Sequence, residues 1–391
     1  MTFSLNPAVA GVAAPPIAAV QSWVRGRAFT AERPLLDVAQ AVPSYPPADA
    51  LIDHVAAVSR RPDTGLYAPI LGLPALREAF AAHLCEDYGA ALAPTDVAIT
   101  AGCNQAFCVA LSALAGPGDE VVLPLPYYFN HRMWLDMQGI RAVPLPFAAD
   151  RGGVPTVEAV AAAITSRTRA VVLVSPSNPT GAEYPPALLE AVFALARERR
   201  IALVLDETYK DFRARPGPAH RILGEPGWGD TLVQLHSFSK SYSLAGYRVG
   251  AVVGGPRLLA EIEKLMDCVA ICASRIGQEA ALYGVTHLAD WRAEKAALMR
   301  ARMATLDRAF GDNRLGYRLV SAGAYFAYVR HPFEGVGSTA VAERLAREHA
   351  VLCVPGEMFG PGQEPYLRFA FANLEADRIP MLVERLVESQ G

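Results

Sequence analysis

An α/β fold follows from three features of the sequence: a large domain on a mostly parallel seven-stranded sheet sandwiched by helices, and a smaller α+β domain after it. Between about residues 97 and 255, seven short apolar runs (VAIT, EVVLPLP, RAVPLP, RAVVLVSP, RIALVLDE, TLVQLHSF and RVGAVVGG) alternate with helical stretches. Strands apolar on both faces and separated by helices belong in a parallel sheet covered on both sides. Past about residue 285 the alternation stops and a mixed pattern of long charged helix, strand pair and terminal helix takes over. Finally, 391 residues at 52% hydrophobic and 19% charged describe a folded chain with a large core.

In chain order, residues 1–45 are Pro-rich and aperiodic, ending near Val42-Pro-Ser-Tyr-Pro-Pro47, and predict an extended arm rather than a domain. Residues 46–285 form the predicted large domain. Near its start Leu73, Leu76, Phe80, Leu84 and Tyr88 recur at spacings of three and four, with Pro74 in the first turn and Gly89 at the stop, which is a helix with one buried face. Residues 286–391 form the small domain. Its elements are a helix over WRAEKAALMRARMATLDRAF, strands at GYRLV and AYFAYV, a helix at STAVAERLAREH, short strands at VLCVP and YLRFAFA, and a last helix at ADRIPMLVERLVES.

With 36 Lys+Arg against 39 Asp+Glu, the net charge of −3 gives no footprint for nucleic acid or an anionic membrane, so small molecules are the expected partners. The first twenty residues lack a basic start and carry Pro7, Pro15 and Pro16, unlike a signal peptide or a spanning helix. None of the six cysteines pairs in a C-x-x-C. The expectation is a cytoplasmic protein without disulfides or a metal site.

Phosphate-loop, dinucleotide, zincin and hydrolase motifs are all missing from the sequence. Polar clusters stand instead just past strand ends, where ligands bind in parallel α/β sheets. After TLVQLH comes Ser237-Phe-Ser-Lys240-Ser-Tyr-Ser-Leu-Ala-Gly246-Tyr-Arg248-Val-Gly250, two cations and two hydroxyls that suit a phosphate dianion beside an amine nucleophile. After AVVLV comes Ser175-Pro-Ser-Asn178-Pro-Thr-Gly181, a rigid turn offering an amide. After IALVL comes Asp206-Glu-Thr-Tyr209; its acid either holds magnesium, as in a phosphotransferase, or pairs with a protonated ring nitrogen, and no phosphate-cradling loop accompanies the first option. After VAIT comes Thr100-Ala-Gly102-Cys103-Asn104, where a helix start either offers free N–H groups to an anion or is capped by Thr100 or Asn104.

Taken together these residues resemble the class I/II aminotransferases, which are fold-type I pyridoxal 5'-phosphate enzymes, over roughly Pro43 to Arg368. The resemblance implies that Lys240 joins the cofactor as a Schiff base, that Asp206 pairs with its pyridine nitrogen, and that Asn178 and Tyr209 bond its phenolic oxygen. It implies phosphate contacts from Gly102, Cys103, Asn104, Ser237, Ser239 and Arg248, and a ring stacked by Tyr128, with the adjacent Tyr127 as the alternative. Tyr67, in Leu66-Tyr67-Ala-Pro, matches a tyrosine that reaches the phosphate of the neighbouring subunit, so a homodimer with composite sites is implied. Arg368 matches the arginine that grips the substrate α-carboxylate, and strand alternation turns it away from the face of Leu367 and Phe369.

Substrate contacts are implied for Asn178 and for the segment of Ala41, where Ala41-Val42-Pro43 replaces the common Gly-x-Pro. Asn104 stands where dicarboxylate-specific relatives often carry Lys. Arg275 lies in a segment that approaches the partner's site, and reads either as a substrate contact or as an interface arginine. The implied activity is ping-pong transfer of an amino group between amino acids and 2-oxo acids. β-Elimination or decarboxylation on the same scaffold is the alternative. A cofactor-binding regulator is more remote, because the arm before Tyr45 is unlike a helix-turn-helix.

Overall fold

The computed structural model describes residues 3–311 and 314–391. The arm is not extended throughout: it holds two short helices, Pro7–Ala10 and Pro16–Ser22, each opening on a proline. Proline suits a first turn because its missing N–H would have no intrahelical partner there. Aperiodic apolar residues hid these helices, since neither is long enough to show a repeat. The arm then contributes strand β1 (Leu36–Asp37).

The large sheet comprises β2 (Val97–Thr100), β3 (Glu120–Pro124), β4 (Arg141–Leu145), β5 (Thr168–Val174), β6 (Ala202–Asp206), β7 (Leu232–Ser237) and β8 (Gly250–Val253), in the order β2-β8-β7-β6-β5-β3-β4. Only β8 runs against its neighbours. Alternate residues of each central strand enter different cores. Val171, Leu173, Leu203 and Leu205 pack on one face of the sheet and Ala170, Val172, Ala202 and Val204 on the other. Two-sided burial is why these strands read as unbroken apolar runs. The register places the polar residues ending the strands along one edge: Val174 pairs with Asp206, and Thr100 and Ser237 both pair with Gly250. The helix Pro74–Tyr88 packs against this sheet, stopped by Gly89 in the left-handed conformation (φ 62°).

The smaller sheet is antiparallel. It contains β9 (Arg318–Gly323), β10 (Phe326–Arg330), β12 (Val354–Pro355) and β13 (Tyr366–Phe369) in the order β12-β13-β10-β9. The segment VLCVP divides at Cys353: its first half, β11 (Val351–Leu352), pairs in parallel with β1, and its second half is β12. The arm is thereby tied to the C-terminal part of the chain. Helices Ala289–Phe310, Ser338–Glu348 and Ile379–Glu388 complete this part. All six cysteines are unpaired. Among the described residues, no helix is long and apolar enough to cross a membrane.

Candidate active site

A cavity of about 480 Å³ opens where the strand ends of the large sheet meet the arm and the small sheet. Asp206 reaches it from the end of β6, Tyr209 from the turn that follows, and Asn178 from the turn after β5. Ser237, Ser239 and Lys240 come from the end of β7, and Arg248 from just before β8. Cys103 and Asn104 come from the start of helix Cys103–Leu114, Tyr128 from the lead into helix Phe129–Met137, Ala41 from the arm, and Arg368 from β13. Tyr127 is not part of the lining, which decides between the adjacent tyrosines in favour of Tyr128 as the one facing the cavity. Two predicted residues lie elsewhere: Tyr67 is 76% exposed away from this chain's cavity, and Arg275 donates to Asp63 at 2.6 Å.

Lys240 is half-buried, and its ammonium bonds one protein group, the carbonyl of Ala41. Burial, with Arg368 and Arg248 nearby, pushes its pKa down to about 8. A lysine in that condition is partly neutral near physiological pH and therefore a usable nucleophile or proton carrier.

Asp206 is 4% exposed. Burial alone would raise its pKa, but His131 Nε2 at 3.4 Å from Oδ2 and the Thr208 N–H at 3.0 Å from Oδ1 outweigh it, leaving the carboxyl below its ordinary range. His131 is held in turn by stacking on Phe107, with ring centroids 3.8 Å apart. Asp206 is thus an ionised carboxylate aimed at a cavity.

One corner of the cavity is built for an anion. Gly102 adopts φ 86°, and a side chain there would collide with the Arg248 guanidinium, so glycine lets the loop lie against the arginine. The helix that begins at Cys103 has no side-chain cap. Of the two alternatives, capping is absent: Thr100 donates to the Gly102 carbonyl at 3.0 Å and Asn104 turns toward the Tyr128 hydroxyl at 3.5 Å. First-turn N–H groups thus stand beside Arg248 and the hydroxyls of Ser237 and Ser239.

At the opposite side Arg368, 2% exposed, donates to Asn178 Oδ1 at 3.1 Å and to the Ala39 carbonyl. Its guanidinium carbon lies 4.9 Å from the Phe326 ring centroid and 5.2 Å from that of Phe359. Its Nε is buried without a partner. Burial lowers its pKa to about 10, still cationic at neutral pH. A buried, partly unpartnered guanidinium favours a carboxylate ligand.

Sequence reasoning missed His131, Thr208 and the arm residues Pro16 and Ile17, all of which touch or line the site. His131 follows Tyr128 by three residues at a helix start, a spacing that sets both on one face. Thr208 follows Asp206 by two, the span over which an aspartate accepts from backbone.

A second charged cluster lies behind the Lys240 turn. Lys210 donates to Asp87 and, at 3.0 Å, to Asp211, and its ammonium is 3.3 Å from His83 Nε2. Asp211 accepts from the Ser241 hydroxyl, and Arg292 bonds His83 at 2.8 Å and Tyr242 at 3.1 Å. Oxygen and nitrogen atoms of His83, Asp87 and Asp211 lie within 4.8 Å of one another, but the Lys210 ammonium already bonds all three. Next to them Glu207 accepts from Tyr88 at 2.8 Å and from Gln234 at 2.5 Å.

A sheet-edge cavity with a half-buried lysine, an opposed carboxylate, an anion corner and a guanidinium defines an α/β enzyme acting on small anionic molecules. The model of the family "Aminotransferase class I and II" matches residues 31–386. The arginine–pyruvate transaminase AruH of Pseudomonas aeruginosa is 33% identical over 303 residues, 77% of each chain. The aspartate aminotransferase of Streptomyces avermitilis is 30% identical over 367 residues, 89% of this chain and 88% of that one. The structure of Thermus thermophilus aspartate aminotransferase with maleate superposes with a TM-score of 0.89 at 26% identity, covering 99% of this chain and 100% of that one. The chain belongs to the class I and II aminotransferase family and is a transaminase.

Proposed function

We propose that this transaminase uses pyridoxal 5'-phosphate held in the cavity at the sheet edge, with Lys240 as its covalent anchor. The observation that carries this is Lys240 itself, a half-buried amine of lowered pKa in one cavity with Asp206, the Arg248 anion corner and Arg368. The residues fit that group. Ser237, Ser239, Arg248 and the backbone of Gly102, Cys103 and Asn104 suit a phosphate dianion; Asp206 suits a protonated ring nitrogen; Asn178 and Tyr209 suit a ring oxygen; and the Tyr128 ring offers a stacking face. Arg368 lines the cavity and would meet a substrate carboxylate there.

Bound there, the cofactor supplies an aldehyde that condenses with amines and a cationic ring that accepts the electron pair left by a departing Cα proton. Asp206, ionised by His131 and Thr208, holds a proton on the ring nitrogen. Arg368 and Asn178 orient the substrate α-carboxylate, which fixes where the Cα–H bond points. Lys240, as a neutral amine, takes the proton from Cα and delivers it on. The amino group of one amino acid is thereby left on the enzyme for a second 2-oxo acid.

The exposed Tyr67 motivates the further reading that a second copy of the chain completes each site, giving a homodimer. Residues 1–45, 46–285 and 286–391 then act as arm, cofactor-binding domain and small domain, in a cytoplasmic enzyme. The named relatives act on donors as unlike as arginine and aspartate, so the donor depends on each chain's own cavity wall. Mixing loaded enzyme with an amino acid in a single turnover should give one equivalent of 2-oxo acid and no free ammonia. Ammonia with pyruvate, or carbon dioxide, would replace transfer by elimination or decarboxylation.

A further inference from the structure

Resting on the aminotransferase reading, we propose that the amino donor carries an uncharged, mainly apolar side chain. Among the described residues lining the cavity, the charged side chains are Asp206, Lys240, Arg248 and Arg368. Each has a partner within the site or a role at the cofactor or the α-carboxylate. The rest of the wall is neutral: Pro16, Ile17, Val42 and Phe129 are apolar, and Gln40, Asn104 and Asn130 are amides. Asn104 and Asn130 are engaged with the Tyr128 hydroxyl, to which Asn130 donates at 3.1 Å.

The apolar part is rigidly set. Val20 is fully buried, and Ile17, three residues earlier on helix Pro16–Ser22, packs into the same cluster with Phe129, Tyr328 and Phe359. The arm is therefore a wall of the cavity rather than a strap beside it. A second carboxylate on the donor, or a terminal ammonium or guanidinium, enters such a wall without an opposite charge and loses its hydration. In the Tyr67 segment that a partner subunit would present, Arg275 is bonded to Asp63 at 2.6 Å and Arg61 to Glu279 at 2.5 Å, so these two arginines are already paired.

The test has two arms. Steady-state kinetics of the loaded enzyme should give leucine and methionine a kcat/KM roughly 30-fold or more above aspartate, glutamate, lysine and arginine. Thermal denaturation with unreactive ligands should rank 4-methylpentanoate above glutarate and 5-guanidinopentanoate. If no amino acid is converted yet 4-methylpentanoate still stabilises most, transfer fails and the side-chain class stands. If glutarate or the guanidino acid stabilises most, or a charged donor is turned over best, the class is overturned. Ile17→Asp should raise KM for leucine about tenfold more than it raises KM for alanine. Equal losses for both donors would show that Ile17 is not part of the side-chain wall.

Discussion

Two charged clusters flank the turn that carries Lys240, and they are built on opposite terms. Behind the turn, Asp87, Asp211 and Glu207 meet Lys210, Arg292, two tyrosine hydroxyls and a glutamine amide in a set bound mainly to itself, with one Glu207 oxygen and the Gln234 amide oxygen left without a partner. In front, three basic side chains, Lys240, Arg248 and Arg368, face a single carboxylate, Asp206, across an open cavity. A set whose acids bond mostly to neighbouring protein groups holds a fold together. An open set with surplus positive charge and an unpartnered guanidinium is arranged for anionic ligands. The adjacent residues Asp206 and Glu207 show the division at its sharpest, since consecutive strand-end side chains point to opposite sides.

The largest expected effect lies in the open cluster. Lys240→Ala should lower transamination by roughly four orders of magnitude or more, because no other amine in the cavity replaces it. Borohydride should fix the cofactor to the peptide containing Lys240. Labelling of another lysine would remove the central assignment.

Next come the neighbouring acids. Asp206→Asn should slow turnover roughly 10²–10³-fold with little change in melting temperature, since what is lost is charge opposite the ligand. Glu207→Gln should do the reverse, costing about 3 kcal/mol of stability with turnover within about threefold of the parent, because it breaks a buried charged set. Equal effects of the two on turnover would erase the contrast between the clusters. Chelators should alter neither property, since Lys210 already serves the acids behind the turn.

The cluster behind the turn also predicts a pH dependence. Burial pushes His236 down to about 4, whereas the unfolded histidine titrates near 6.5. Between those values the unfolded chain binds the proton first, so stability is full above about 6.5 and declines toward 4, by up to about 1.4 kcal/mol per pH unit. Burial pushes His83 down to about 4 as well, so His236→Phe should reduce that slope by about half in denaturant titrations at pH 7, 6 and 5. An unchanged slope would place the acid sensitivity in another group.

The smallest effect concerns the subunit partner. Tyr67→Phe should weaken cofactor retention by roughly 1.5–3 kcal/mol, the worth of one hydrogen bond to a charged group. In dimers mixing Tyr67→Phe chains with Lys240→Ala chains, the surviving lysine shares its pocket with the other chain's intact Tyr67, so retention should return to normal. Persistently weak retention in the mixed dimer would confine Tyr67 to its own subunit.

Most of the open cluster was legible in the sequence because its members stand where apolar strands stop. Asn178, Asp206, Ser237 and Lys240 each follow a run that buries both faces, so the change from apolar to polar marks the edge of the sheet. The arm was harder to read. Its helices Pro7–Ala10 and Pro16–Ser22 are too short for a periodic signal, and Ile17 looks no different from any other apolar residue until Phe129 and Phe359 stand beside it. The cluster behind the turn was not legible, because Lys210, Asp87 and Arg292 carry no motif and acquire meaning only as neighbours.

The sequence by itself determined the sheet, the strand-end positions and the residue types available for amine and phosphate chemistry, because periodicity, glycine conformation and strand-end polarity act over a few neighbouring residues. Only the tertiary structure decided which groups share a volume. Lys240 meets the Ala41 carbonyl across 199 positions, and Arg368 meets Asn178 across 190. Burial of those groups together lowers the lysine's pKa, and the charges left over along the cavity wall set the side chain it admits. Charge balance and desolvation depend on distances through space, and local sequence does not encode those distances.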